Sequence, residues 1–220
     1  MSDENLSDAA FDRALMTAAF SLAAVKTWRA MSIAEAARAA GLSLDRARER
    51  CPDRNALLLR FGRLADQAAL AKMPTEGTVR DRLFDLIMCR IDFLQGHRAG
   101  VLALFQALPA DPATAVLLSC ANRRSLAWML NAACVSTGGI IGHLRVSGLL
   151  AVWLWTVRAW QKDENLDLSA TMAALDKGLS RAEGLASWMH RPGHAPGRAA
   201  DPGSEPKTEA PPAPPAEPAG

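Results

Sequence analysis

The chain has 220 residues, half of them apolar, and a formal net charge of +2 at pH 7. This length and apolar content can supply a sizeable core, and a mix rich in Ala and Leu with no Tyr favours helix over strand. The acidic start, MSDEN, argues against a signal peptide. The four scattered cysteines suggest reduced, buried thiols rather than a zinc site, and hence a cytoplasmic protein.

Hydrophobic periodicity, together with proline and glycine breaks, predicts an all-α protein of nine helices with no sheet. Asp53 and Asp111 are expected to cap helices, and Gly138 and Gly139 to end one. The apolar run 146–157 is too short to span a membrane and is expected to form a buried helix. The predicted helices lie near residues 7–28, 32–40, 44–51, 53–73, 78–95, 98–108, 111–136, 142–162 and 168–189.

Residues 191–220 contain nine of the thirteen prolines and show no apolar periodicity. Such a segment cannot bury enough surface to offset the entropy lost on ordering. We therefore expect a disordered Pro/Ala-rich tail there.

Residues 27–58 are expected to form a helix-turn-helix. Ser32 followed by Glu35 is the pattern of a capping box, and small alanines allow a second helix to cross closely. Gly41 suits the left-handed backbone of a tight turn, and Ser43 is placed to cap the next helix. That second helix would enter a major groove if the module binds DNA.

Charge is consistent with this use. Residues 26–63 hold nine basic and four acidic residues, an excess that suits contact with phosphates. Arginines that are simply solvated on short helices are the alternative interpretation.

The segment 27–62 resembles the N-terminal signature of the TetR family of bacterial regulators. The matching residues are Trp28, Ser32, Ile33, Ala36, Ala40, Gly41, Ser43, Pro52, Leu57 and Leu58. Arg54 replaces the lysine that begins the family's fourth helix, Arg48 replaces a tyrosine and Cys51 a phenylalanine. Asp45 and Glu49 place carboxylates on the helix face that would meet DNA.

This resemblance implies a TetR-like fold, with a helix-turn-helix DNA-binding domain at 1–58 and a helical regulatory and dimerisation domain at 59–190. The implied DNA-binding residues are Ser32, Ser43, Arg46, Arg48 and Arg54. The last two long helices would form the dimer interface, with Trp155, Arg158, Met172, Leu175 and Leu179 as candidates.

Tryptophans and other large apolar residues could line a ligand cavity, although ordinary core or interface packing is the alternative. Trp153 and Trp155 cannot both face one core, so one of them should meet a partner subunit. The candidate pocket residues are Phe84, Met88, Phe93, Trp128, Leu150 and Trp153. Gly148, within an apolar helix, suggests a close approach between helices.

A second, shorter resemblance involves Asp163, Asp167, Thr171 and Leu175, preceded by Trp160. These residues are similar to the C-terminal pattern of the coenzyme Q biosynthesis accessory family, whose members use a TetR-like fold to bind isoprenoid lipid. The structural alternative is that Asp167 simply caps the last helix.

The histidines and carboxylates show no catalytic or metal-ligand spacing, and no phosphate-binding or nucleophile motif is present. We expect that the protein is not an enzyme and that it binds no cofactor or metal. The leading interpretation is a homodimeric TetR-type repressor that binds a double-stranded DNA operator and responds to a small apolar ligand. The alternative is a lipid-binding accessory protein of ubiquinone biosynthesis with a degenerate helix-turn-helix.

Overall fold

The computed structural model describes residues 6–189, with side chains up to residue 184, and this part of the chain is all-α with no strand. The predicted tail, 191–220, lies outside the described residues. The helices are α1 (Asp8–Lys26), α2 (Ile33–Ala39), α3 (Leu44–Arg50), α4 (Arg54–Ala71), α5 (Val79–Gln95), α6 (Arg98–Ala107), a 3-10 turn (Leu108–Ala110), α7 (Pro112–Ala132), α8 (Gly139–Lys162) and α9 (Ser169–Met189).

Two predicted caps are confirmed. The Asp53 carboxylate accepts from the Ala56 N–H at 2.8 Å. Asp111 accepts from the Thr114 N–H at 3.1 Å, with Pro112 in the first turn of α7. These bonds satisfy backbone donors that have no partner inside the helix, and so they fix where α4 and α7 begin.

The predicted end of α7 is wrong. The helix stops at Ala132, and Cys134 rather than a glycine takes the left-handed backbone after it, with φ 65°. The Cys134 N–H bonds the Asn131 carbonyl and the Val135 N–H bonds the Leu130 carbonyl, which together close the helix. Gly138 and Gly139 instead begin α8.

The helices pack around a core that runs continuously from the helix-turn-helix to the C-terminal helices. Helix α1 packs on α2 and α6, α4 packs on α5 and α7, and α8 packs along α9. Phe11, Phe20, Trp160 and Leu175 all belong to this one core. The predicted domain boundary at residue 58 falls inside α4, so this one helix runs from the helix-turn-helix into the rest of the bundle.

Close helix approaches occur at other glycines than the one expected. A Cβ on Gly100 of α6 would lie 2.2 Å from the Phe20 carbonyl oxygen of α1, whereas a Cβ on Gly148 would meet no atom within 4 Å. A Cβ on Gly178 of α9 would lie 3.0 Å from Val152 Cγ1 of α8. Within the subunit no helix approaches closely at Gly148, whereas α6 approaches α1 through Gly100.

The run 146–157 lies in α8 and is partly buried, through Val146, Val152, Trp153 and Val157. Within the described residues, α8 is long and apolar enough to cross a bilayer. The pair formed by α6 and α7, bent by 120°, also meets this criterion of length and composition. Core helices of soluble proteins meet the same criterion. The expectation of buried thiols holds for Cys51, while Cys89 is half-buried and Cys120 and Cys134 are exposed.

Candidate DNA-binding face and ligand cavity

The helix-turn-helix is closed by backbone geometry at Gly41, as predicted. Gly41 has φ +66°, its N–H bonds the Arg38 carbonyl, and the Leu42 N–H bonds the Ala37 carbonyl. Leu42 is buried beneath the turn. These bonds satisfy the last carbonyls of α2 and set the angle at which α3 leaves it.

Ser32 caps α2 by accepting from the Glu35 N–H at 3.2 Å, but Glu35 has a second role. Its carboxylate pairs with Lys26 at the end of α1. Lys26, helped by the Ser32 backbone N–H, lowers the pKa of Glu35. Ser32 thus caps α2 as predicted, and Glu35 also links α1 to α2.

An ion-pair cluster holds α3 against α1. Asp12, only 5% exposed, accepts from Arg50 at 2.6 and 2.8 Å and also from Arg60 of α4. Asp8 accepts from Arg46 at 2.8 Å and from Arg50 at 2.6 Å. Burial opposes ionisation of Asp12, yet its two arginines together hold its pKa below the ordinary value.

This cluster changes the meaning of the charge count. Arg46, Arg50 and Arg60 contribute to the basic excess of residues 26–63, but their partners Asp8 and Asp12 lie outside that window. Arg46 also donates to the Leu6 carbonyl at 2.9 Å and stacks over the Phe11 ring. The structure therefore places this predicted DNA contact against α1, and much of the apparent excess is internally neutralised.

Three of the predicted DNA-binding residues line one groove beside α2 and α3. The groove has a volume of about 490 Å³, and Ser32, Arg48 and Arg54 line it together with Arg29. Arg48 is exposed and donates to the Pro52 carbonyl at 2.8 Å. Arg54 donates to the carbonyls of Trp28 and Arg29, which positions its guanidinium at the start of α4.

The N-cap and the exposed face of α3 agree only in part with those expected of a DNA-reading helix. Ser43 occupies the N-cap position but makes no capping hydrogen bond through its side chain, so that part of the prediction is wrong. Leu44, Asp45 and Glu49 are exposed beside Arg48. The buried Cys51 stands where the family signature has phenylalanine, and burial raises the pKa of its thiol. The outer face of α3 thus carries two carboxylates and one guanidinium.

A separate cavity of about 200 Å³ lies between α4, α5, α6, α7 and α8. Of the predicted pocket residues, Leu150 and Trp153 line it. Phe84, Met88 and Phe93 instead pack, half-buried, against the core. Trp128 is 69% exposed on α7, so its prediction as a pocket residue is corrected.

Arg90, which is not among the residues predicted from the sequence, lines this cavity and is only 5% exposed. Its Nε lies 3.3 Å from Asp66 Oδ1, its Nη2 donates to Asn122 Oδ1 at 2.9 Å, and its guanidinium stacks over the Trp153 ring at 4.5 Å. Burial lowers the pKa of Arg90, and Asp66 opposes this. A detectable signal was present, because Arg90 lies three and four residues from Ile87 and Leu94 on the apolar face of α5.

The predicted dimer residues divide between surface and core. Trp155 is 53% exposed, and Arg158 and Met172 are exposed as well. Trp153 is buried, which confirms that the two tryptophans face different environments. Leu175 and Leu179 are buried within the subunit, which corrects their assignment to an interface.

A second cavity, of about 460 Å³, lies between α5, α7, α8 and α9. Most of its lining is aliphatic, and Arg80, Arg145 and Glu183 also reach it. Its main apolar residues are Val79, Leu83, Leu130, Val135, Leu144, Leu149 and Leu179.

The motif at residues 163–175 serves the start of α9. Asp163, buried, accepts from both the N–H and the hydroxyl of Thr171 at 2.8 Å. Burial opposes the ionisation of Asp163, yet the Thr171 and Asn165 donors hold its pKa below the ordinary value. Asp167 accepts from the Ser169 N–H at 3.1 Å, so both carboxylates satisfy the first turn of α9.

Comparison with known proteins gives matches in structure alone. No family model and no curated protein matches the chain. A TetR transcriptional regulator from Nitrosomonas europaea ATCC 19718 is similar, with a TM-score of 0.64, 22% identity, and coverage of 79% of this chain and 98% of that one. A tetR-family regulator from Streptomyces coelicolor has a TM-score of 0.60 and 19% identity, covering 84% and 85%. A TetR regulator from Rhodococcus sp. RHA1 has a TM-score of 0.53 and 15% identity, covering 83% and 100%. The chain therefore has the fold of the TetR family of transcriptional regulators.

Proposed function

We propose that this protein is a cytoplasmic DNA-binding transcriptional regulator, a repressor that acts as a homodimer and is released from its operator by a small apolar ligand. The observation that carries the proposal is the groove that gathers Ser32, Arg48 and Arg54 beside α3. In a helix-turn-helix of this kind, α3 enters the major groove and flanking cations contact phosphates.

The cavity beside α4 supports the ligand response. Leu58, Phe61 and Ala65 of α4 line this cavity, while Arg54 at the start of the same helix lies in the DNA-facing groove. A molecule bound in the cavity would shift the start of α4 and the helix-turn-helix with it. Binding of ligand and of DNA would then oppose each other through one coupling free energy.

The DNA-binding test is a selection from random duplexes, followed by fluorescence anisotropy. We expect an enriched palindrome whose affinity falls steeply with salt. The slope of log affinity against log salt concentration should be about −0.9 for each phosphate contacted.

Arg48→Ala should weaken binding by about tenfold or more, the loss expected for one good base contact. The double variant D45N/E49Q should strengthen binding, because it removes two like charges from the face that meets the phosphates.

Arg124→Ala is the matched control, since Arg124 is an exposed arginine of α7 outside the groove. Its affinity for the selected duplex should stay near that of the parent. A selection that enriches no sequence would contradict the regulator proposal. An equal loss of affinity in Arg48→Ala and Arg124→Ala would show only a general charge effect.

We propose one alternative, an isoprenoid-lipid-binding accessory protein of ubiquinone biosynthesis whose helix-turn-helix does not read DNA. Two observations favour it. The second cavity is largely aliphatic and has a volume of about 460 Å³. The exposed face of α3 carries Asp45 and Glu49, which DNA phosphates would repel.

Native mass spectrometry of freshly purified protein tests subunit association and lipid occupancy together. We expect a homodimer, because Trp155 and Met172 expose apolar surface on α8 and α9. Trp155→Glu should yield monomer by placing a charge in the contact. Trp128→Glu, which changes an exposed tryptophan on α7, should leave the dimer intact.

A monomeric parent protein at micromolar concentration would contradict the dimer. Copurified isoprenoid lipid, combined with a selection that enriches no duplex, would favour the accessory protein over the regulator. Lipid-free protein from native cells would count against the accessory protein.

A further inference from the structure

The cavity beside α4 contains a buried cation whose hydrogen bonding is incomplete. Among the described residues, Arg90 Nη1 is buried and has no hydrogen-bond partner, although Nη2 is bound by Asn122. Asn122 is itself held in place by donating to the Leu118 carbonyl at 2.9 Å. A buried donor on a charged group is costly to leave unpaired, so an unused donor at a cavity wall is a natural anchor for a bound acceptor.

The rest of the cavity is apolar and small. Leu94, Val101, Leu104, Phe105 and Leu150 are among its lining residues. At roughly 30 Å³ for each water-sized group, a volume of about 200 Å³ holds about seven such groups. A fitting ligand has a short apolar body and one polar end.

The carboxylate of Asp66, which pairs with Arg90, determines whether the polar end of the ligand can be charged. Its Oδ1 lies 3.3 Å from Arg90 Nε, and its Oδ2 accepts from Ser125. The single Arg90 cation is thus already balanced by one carboxylate. A ligand carboxylate would bury a second negative charge with no further cation to pair with it, whereas a carbonyl oxygen would accept from Nη1 at no such cost.

We propose that the cavity between α4, α5, α6, α7 and α8 binds an uncharged apolar molecule of about seven or eight non-hydrogen atoms, with one carbonyl oxygen that accepts from Arg90. This inference rests on the proposed ligand-responsive function, and it names the class of ligand: a ketone, ester or amide. The bound molecule would contact Gly62 and Ala65, and so reach the helix that continues to Arg54.

Calorimetric titration with three compounds of nearly equal size tests the proposal. These are 2-heptanone, its alkene isostere 2-methyl-1-heptene, and heptanoate. We expect 2-heptanone to bind at least tenfold more tightly than the alkene, because only the ketone uses the Arg90 donor. We expect heptanoate to bind more weakly than the ketone.

Two variants check that the preference arises at this site. Asp66→Leu combined with Arg90→Met removes both charges, a replacement that buried ion pairs often tolerate, and it should abolish the preference for ketone over alkene. Asp66→Asn leaves the cation unbalanced and should shift the preference toward heptanoate. Circular dichroism and thermal unfolding verify that each variant is folded.

Equal affinity for ketone and alkene, or tighter binding of heptanoate by the parent protein, would overturn the proposal. Its failure is distinct from failure of the regulator. A protein that binds a selected operator but ignores the carbonyl loses only this inference, whereas one that binds 2-heptanone through Arg90 but enriches no duplex loses only the DNA-binding function.

Discussion

Replacing Asp12 with asparagine is expected to lower the free energy of unfolding by about 3 kcal/mol at neutral pH, the scale for removing one member of a buried ion pair. Asp12 is nearly fully buried and joins α1 to Arg50 of α3 and Arg60 of α4. Asparagine keeps the shape but leaves Arg60 without a counter-charge and Arg50 with the exposed Asp8 alone. Urea unfolding followed by circular dichroism measures the loss, and binding to a selected duplex should weaken as α3 becomes mobile.

Asp8→Asn is the matched control, because Asp8 lies on the same helix and shares Arg50 but its side chain is 68% exposed. Solvent already screens that pair, so this variant should cost far less. If the two variants were equally stable, burial of Asp12 would not be the source of the effect.

The stability difference between the parent and Asp12→Asn should also depend on pH. The folded pKa of Asp12 lies below its ordinary value. The contribution of a carboxylate with a lowered pKa is complete above its unfolded pKa, about 3.9, and is lost as the pH falls through the folded pKa. The difference should therefore be constant from pH 7 to 5 and narrow below pH 4.

The helices could be predicted from sequence because their signals are local. Asp53 and Asp111 lie directly before the helices that they cap, and Gly41 marks its own turn. The end of α7 differs from the predicted one because Cys134 adopts a positive φ, a conformation that sequence preference assigns to glycine. The backbone bonds from Cys134 to Asn131 and from Val135 to Leu130 close the helix there without a glycine.

The candidate site was only partly predictable because its charges are paired across long sequence distances. Arg46 and Arg50 form ion pairs with Asp8 and Asp12, which lie nearly forty residues earlier in the chain. A count of charges over residues 26–63 therefore overstates the free positive charge. Arg90 carried a local signal, a cation on an apolar helix face. Its incomplete hydrogen bonding emerged only when Asn122 and Asp66 were placed around it.

Gly100→Ala is expected to destabilise the protein by about 3 kcal/mol and to loosen the helix-turn-helix from the rest of the bundle. The new methyl would lie 2.2 Å from the Phe20 carbonyl oxygen and 2.7 Å from the Phe20 Cα, where non-bonded carbon contacts normally need about 3.5–4.0 Å. Both obstacles are backbone atoms of α1, which is anchored in the core by Phe11, Leu15 and Phe20, so no side chain can rotate away. Helices α1 and α6 must separate instead, and overpacking of this kind costs about 1–3 kcal/mol, occasionally more.

Gly62→Ala is the control, because Gly62 also lies within a helix but an added Cβ would meet no atom within 4 Å. This variant should gain up to about 1 kcal/mol from helix propensity. Urea unfolding gives both stabilities, and hydrogen exchange of α1 reports the separation of the helices directly. If Gly100→Ala were as stable as Gly62→Ala, α1 could move without loss, and the α1–α6 contact would not hold the helix-turn-helix to the C-terminal helices. A large loss, with faster exchange in α1 but not in α8, would identify the α1–α6 crossing at Gly100 as the contact that holds α1 to the rest of the bundle.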